Sequence, residues 1–164
     1  MIWRTVEPAD IDAVADIFDK AKAFMAQQGL NQWSGEYPNA DDVRSDIEEG
    51  IGWVLDDGEV VAYAALRFGD DPTYRVIEGA WSANESYATL HRVAVAKVGQ
   101  GLAGEIFRYA EKTCLYNNCH WLRVDTHEDN QPMRCAIDKF GFTACGIIYV
   151  ADGTPRIAYD KKCL

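Results

Sequence analysis

The 164-residue chain carries 26 Asp and Glu against 16 Lys and Arg, a formal net charge of −10, which argues against nucleic acid, a partner that needs a basic face. Such acidity serves solubility and would also steer a cationic partner such as an amine. No run of 18 apolar residues is present and Met1-Ile2-Trp3-Arg4 starts no signal-peptide pattern, so a cytoplasmic protein without a membrane span is expected.

In chain order, Ile2 to Val6 reads as a short strand. Pro8 suits the first turn of a helix, and Ile11, Val14, Ile17, Phe18, Ala21, Phe24 and Met25 recur at helical spacing until Gly29 ends the element. Asp41 to Glu49 predicts a second, shorter helix. Trp53 to Asp56 and Val60 to Phe68 flank Asp57-Gly58, a tight-hairpin signal. Gly69 to Glu85 is irregular, and a strand follows from about Tyr87 to Val95. Ala103, Ile106, Phe107, Ala110 and Cys114 stripe a third helix, and Trp121 to Thr126 alternates as a strand. Met133, Ala136, Ile137 and Phe140 stripe a fourth helix that closes at Gly141. Thr143 to Val150 and Arg156 to Lys161 flank Asp152-Gly153 as a last hairpin. This order predicts a single domain over residues 1–164, with a mixed sheet of about seven strands and helices on both faces. The five cysteines (Cys114, Cys119, Cys135, Cys145, Cys163) are odd in number and lack C-x-x-C pairing. His91, His120 and His127 do not sit at ligand spacing, so neither a disulfide framework nor a metal site is expected.

The stretch richest in chemistry runs from Val93 to Gly104. A β-branched strand leads into Lys97-Val98-Gly99-Gln100-Gly101 and then into an amphipathic helix. Glycines let backbone N–H groups approach an anion, and the helix N-terminus adds the positive end of a dipole, so the ligand expected here carries a pyrophosphate. Gly99-x-Gly101-x-x-Gly104, with Asp125 about 20 residues further on, also meets the dinucleotide fingerprint. Against that reading, Ala96-Lys97-Val98 separates the strand from the first glycine. The 39 residues after Asp125 read as one helix and a hairpin, too little for paired βαβαβ halves.

Four motifs fall in one order: Leu90-His91-Arg92-Val93-Ala94-Val95, Gly99-Gln100-Gly101-Leu102-Ala103, Asp125-Thr126-His127-Glu128-Asp129-Asn130 and Lys139-Phe140-Gly141-Phe142. Together they resemble the fourth strand, pyrophosphate loop, fifth-strand end and closing Lys-x-Gly-Phe signature of the GNAT superfamily of acetyl-CoA-dependent N-acetyltransferases. The resemblance covers residues 88 to 146 in motif and 2 to 162 in element order. It implies an α/β (α+β) fold with a mixed, mostly antiparallel sheet. It implies transfer of acetyl from acetyl-CoA to a primary amine of a small-molecule or amino acid-like acceptor, in a ternary complex and without a metal. A protein or peptide acceptor, or a catalytically silent CoA-binding sensor, are the alternatives, and a homodimer is common in the superfamily.

The resemblance also implies roles for residues. The backbone of Val93 and Val95 would pair with the pantetheine arm, and an N–H near Val93 would meet the acetyl carbonyl. Val98, Gly99, Gln100, Gly101, Leu102 and Ala103 would wrap the pyrophosphate. Val98 stands where the family has Gln or Arg, which removes a side-chain contact, with Lys97 one residue away. Asn130 matches an asparagine that contacts the cofactor arm, and it also reads as a helix N-cap. Period-two alternation puts Thr89, His91, Val93 and Val95 on one strand face. Histidine is a side chain suited to moving a proton near neutral pH, so His91 is the expected base, read also as a plain sheet histidine, and Glu78 is the carboxylate alternative. The family's tyrosine acid would fall at Ile137, so the thiolate of CoA leaves unaided or Tyr149 or Cys135 serves instead. Trp33, Tyr37, Trp81 and Tyr87, each also readable as core, would enclose the acceptor.

Overall fold

In the computed structural model, which describes residues 1–30, 32–33 and 35–164, the strands are β1 (Ile2–Thr5), β2 (Gly52–Asp56), β3 (Val60–Phe68), β4 (Glu78–Gly79), β5 (Ala88–Val95), β6 (Trp121–Thr126), β7 (Thr143–Tyr149) and β8 (Pro155–Lys162). The helices are α1 (Ile11–Gln27), α2 (Ala40–Glu49), α3 (Leu102–Tyr116) and α4 (Gln131–Phe140). The strands follow the order β1-β2-β3-β5-β6-β8-β7-β4. β5 runs parallel to β6, and the other pairings described are antiparallel. A mostly antiparallel sheet is not the doubly wound parallel sheet that dinucleotide binding uses. The eighth strand beyond the seven expected is β4, two residues inside a stretch that reads as irregular. Two residues carry no periodicity, so only pairing reveals them.

The chain divides into two units. The first comprises Met1–Leu66 and His91–Ile106. Pro8 starts a 3-10 turn (Pro8–Asp10) and α1 begins only at Ile11. Charge fixes that turn. The Glu7 N–H donates to the Asp10 carboxylate at 2.8 Å, and Arg4 donates to both Asp10 oxygens at 2.8 and 2.9 Å. These bonds from Arg4 hold the buried Asp10 carboxyl below its ordinary pKa, outweighing the opposite push of burial. At α2 the Asn39 side chain accepts the Asp41 N–H, and Asp42 accepts the Asn39 N–H, each at 2.8 Å, which satisfies first-turn donors. Val14, Ile17 and Phe18 of α1 and Val43 of α2 then pack on Val54, Tyr63 and Ala94 as one core. Trp33 lies against it, edge-on to Phe18 at 6.0 Å.

The second unit comprises Arg67–Leu90 and Phe107–Leu164. Alternation along β6 sends Leu122, Val124 and Thr126 to one face and Trp121, Arg123 and Asp125 to the other. Phe107, Phe140 and Phe142 form an aromatic cluster with ring centres 5.3 to 6.0 Å apart. Tyr74 and Tyr87 are buried with Ile148 and Ala158, and Trp81 and Trp121 pack against them. β4 joins β7 with Glu78 opposite Ile147 and Gly79 opposite Gly146, just where the β7–β8 register shifts at Cys145. Gly79 and Gly146 have φ of +131° and +151°, and a Cβ on either would overlap a backbone carbonyl across the pair. Only glycines let these two backbones meet. All five cysteines are free, with Cys114, Cys119 and Cys163 buried, Cys145 half-buried and Cys135 exposed.

Candidate active site

In the first unit, β5 feeds a loop that ends where α3 begins. Gly99 and Gly101 hold φ of +87° and +72°, and apart from the adjoining residues nothing lies within 4 Å of where a Cβ on either would sit. The same open space surrounds Gly104, so packing inside the chain does not explain that glycine. Val98, Gly99, Gln100 and Gly101 are exposed, while Leu102 is buried and anchors the helix start. The N–H groups of Leu102, Ala103 and Gly104 lie in the first turn, where a helix supplies no acceptors of its own. Left-handed glycines ahead of a helix N-terminus are the kind of backbone that can turn N–H groups toward an anion. Val98 brings no charge to this loop and Lys97 is solvent-exposed, so an anion here would depend on backbone donors.

β5 itself is not a plain strand. Arg92 has φ of +52°, and among the described non-glycine residues only Asn118 shares a positive φ. Its guanidinium donates to Asp46 from Nε at 3.0 Å and from Nη2 at 2.6 Å, and to the Tyr37 hydroxyl at 3.3 Å. The Tyr63 hydroxyl donates to the same Asp46 carboxylate. Asp46 and Tyr63 are buried, and the Arg92 side chain is 15% exposed. Burial pulls the Arg92 pKa down, yet the bonds and charge of Asp46 outweigh it and raise the value. Burial, then Asp46, pushes the Tyr63 phenol up. A left-handed residue interrupts the pleat, so alternation counted through position 92 no longer places half-buried His91 on one face with Val93 and Val95. Sequence reading missed this network. The available signal was Asp46, three residues after Val43 on the buried stripe of α2.

The second unit holds the other expected residues. Asn130 is buried and caps α4, its carbonyl accepting the Met133 N–H at 3.3 Å. Glu78 and Tyr149, which sequence gave separate roles, are brought together: the Tyr149 hydroxyl donates to Glu78 at 3.0 Å across β4 and β7. That bond raises the Tyr149 pKa although the ring is exposed. Ile137 is fully buried on α4. Trp81 and Tyr87 sandwich the Arg123 guanidinium, with ring centres 3.9 and 3.7 Å from its central carbon, so each ring has a face occupied. Burial lowers the Arg123 pKa. Fully buried Tyr74 donates to Asp125 at 2.5 Å.

The family model described as Acetyltransferase (GNAT) family matches residues 14–142. A GNAT family acetyltransferase from Streptococcus agalactiae 2603 is 34% identical, with 98% of this chain and 94% of that one covered and a TM-score of 0.88. The chain belongs to the GNAT family of acetyltransferases. It is thus an acyltransferase that acts with acetyl-CoA, and the family match runs through both units.

Two more distant structures share the GNAT fold. A Salmonella typhimurium structure with its cofactor acetyl-CoA is 17% identical, covering 99% of this chain and 94% of that one at a TM-score of 0.67. The ribosomal-protein-S18-alanine N-acetyltransferase from Escherichia coli is 18% identical, covering 99% and 93% at 0.66. No curated protein matches the chain. In this GNAT enzyme the expected residues divide between the units. His91, Val93, Val95, the loop from Val98 to Ala103, Trp33 and Tyr37 lie in the first, and Glu78, Trp81, Tyr87, Asn130 and Tyr149 in the second. Among the described residues, no helix is long and apolar enough to cross a membrane, and no group of three His, Cys, Asp or Glu side chains is arranged to hold a metal ion.

Proposed function

We propose that this GNAT enzyme acetylates the primary amine of a small-molecule or amino acid-like acceptor by direct transfer in a ternary complex, working as one cytoplasmic domain. The observation that carries the donor half is the exposed loop whose two left-handed glycines precede the α3 N-terminus. In this reading Val98, Gly99, Gln100, Gly101, Leu102 and Ala103 hold the pyrophosphate through backbone N–H groups. The β5 backbone at Val93 and Val95 pairs with the pantetheine amides, and Asn130 reaches the same arm.

The acceptor nitrogen attacks the thioester carbonyl carbon, so a C–N bond forms as the C–S bond breaks. His91, directly or through one water, takes the ammonium proton, with Glu78 the alternative base. A donor at Val93 stabilises the charge that develops on the carbonyl oxygen. The departing thiolate, with a thiol pKa of about 8.5, takes a proton from solvent or from Tyr149. Tyr37, exposed at the end of the first inter-helix connection, is the aromatic that best suits acceptor contact, followed by Trp33, Trp81 and Tyr87. The net charge of −10 favours a cationic acceptor.

Titration calorimetry with acetyl-CoA, CoA and NADH, followed by thiol release with a panel of amines and short peptides, tests this reading. Both CoA species bind and NADH does not, and Gly101→Glu weakens CoA binding by roughly 100-fold or more by placing a carboxylate in the anion cradle. Unchanged affinity in that variant would refute the loop assignment. Tight binding without thiol release for any acceptor would make the protein a silent CoA-binding module, and release with peptides alone would move the acceptor class.

A further inference from the structure

Position 92 combines two costs that a fold ordinarily avoids. A left-handed conformation strains a residue that carries a Cβ. Burying an ion pair gains little unless its geometry is close to ideal. Here the geometry is close: a two-point contact from Arg92 to Asp46, a third bond to that carboxylate from Tyr63, and a bond from Arg92 to Tyr37. Hydrophobic residues of similar volume would fill the same space without desolvating charge. The pair is built on the one left-handed residue of β5, between His91 and Val93.

We propose that Arg92 and Asp46 are a positioning pair that stabilises the left-handed turn in β5 and so sets the direction of the Arg92–Val93 peptide, whose N–H is offered to the acetyl carbonyl. The inference rests on the reading that acetyl-CoA lies along β5. Neither side chain touches the reacting atoms. Their effect reaches the chemistry through one peptide plane, and the Tyr37 hydroxyl ties the same guanidinium to the connection between α1 and α2.

The test separates backbone from side chain. Two double variants, Arg92→Gly/Asp46→Asn and Arg92→Ala/Asp46→Asn, both remove the ion pair and leave no buried charge unpaired. Glycine accepts φ of +52° without strain, whereas alanine does not. Each is bound to acetyl-CoA carrying 13C at the carbonyl, and the bound carbonyl resonance is read by NMR beside the affinity for CoA. The wild type shows a downfield shift on binding. The glycine variant keeps it, and the alanine variant loses it while binding CoA within roughly threefold of the wild type, as expected for a change felt only at the acetyl end. Retention in both variants, or loss in both, overturns the proposal. If the alanine variant does not fold, the glycine variant decides: a retained shift supports the backbone role and a lost shift overturns it. A wild type that fails to bind CoA, or binds it with no carbonyl shift, refutes the underlying acetyl-CoA reading instead.

Discussion

Asp10 shows how much one carboxylate decides. It takes both arms of Arg4 and the Glu7 N–H, and these fix the turn from which α1 starts. Its pKa is lower folded than unfolded, so its stabilisation is present above the ordinary carboxylate value of about 3.9 and is lost as pH falls through the depressed one. Asp10→Asn is thus expected to cost about 1–3 kcal/mol at pH 7, with the gap from wild type closing below about pH 4. Urea unfolding of both proteins at pH 7 and pH 3 checks this. Residue identity also located the turn: glycines at 99 and 101 were legible as left-handed positions because few side chains tolerate those backbone angles. Arg92 was not legible, since nothing in Leu90-His91-Arg92-Val93 marks which residue turns left-handed.

Among the elements, α1 to α4 were readable because amphipathic stripes repeat over ten residues or more. β4 was hidden because two residues have no pattern, and its existence depends on β7 accepting it through Gly146. Gly146→Ala is expected to push β4 off β7, breaking the bond from Ala80 N–H to Cys145 O and the one from Tyr149 to Glu78. Stability then falls by about 1–3 kcal/mol, the range for strain at a special backbone site. Hydrogen exchange at Ala80 rises in the variant. An unchanged Ala80 rate would mean that β4 is held by something other than this glycine pair.

At the scale of the whole molecule, ligand and fold are linked by mass action. Acetyl-CoA at 100 times its dissociation constant is expected to add about 2.7 kcal/mol to stability. For a chain of 164 residues that is a rise in Tm of roughly 5–10 °C. The amides from 96 to 104 are expected to show the largest gain in hydrogen-exchange protection. A rise in Tm with protection elsewhere would place the pyrophosphate outside this loop. The acidic surface works at this scale too, because attraction of a cationic acceptor weakens as salt screens it.

Sequence alone determined the periodic elements, the mixed sheet and the glycine loop, because those depend on local propensity and on residues a few positions apart. Its order of four motifs also pointed to the family to which the chain belongs. Tertiary structure decided the rest. It put Asp46 on Arg92 across 46 positions of chain, Tyr149 on Glu78 across 71, and Trp81 and Tyr87 on Arg123. Such pairings depend on which faces meet when elements pack, and no local pattern records them.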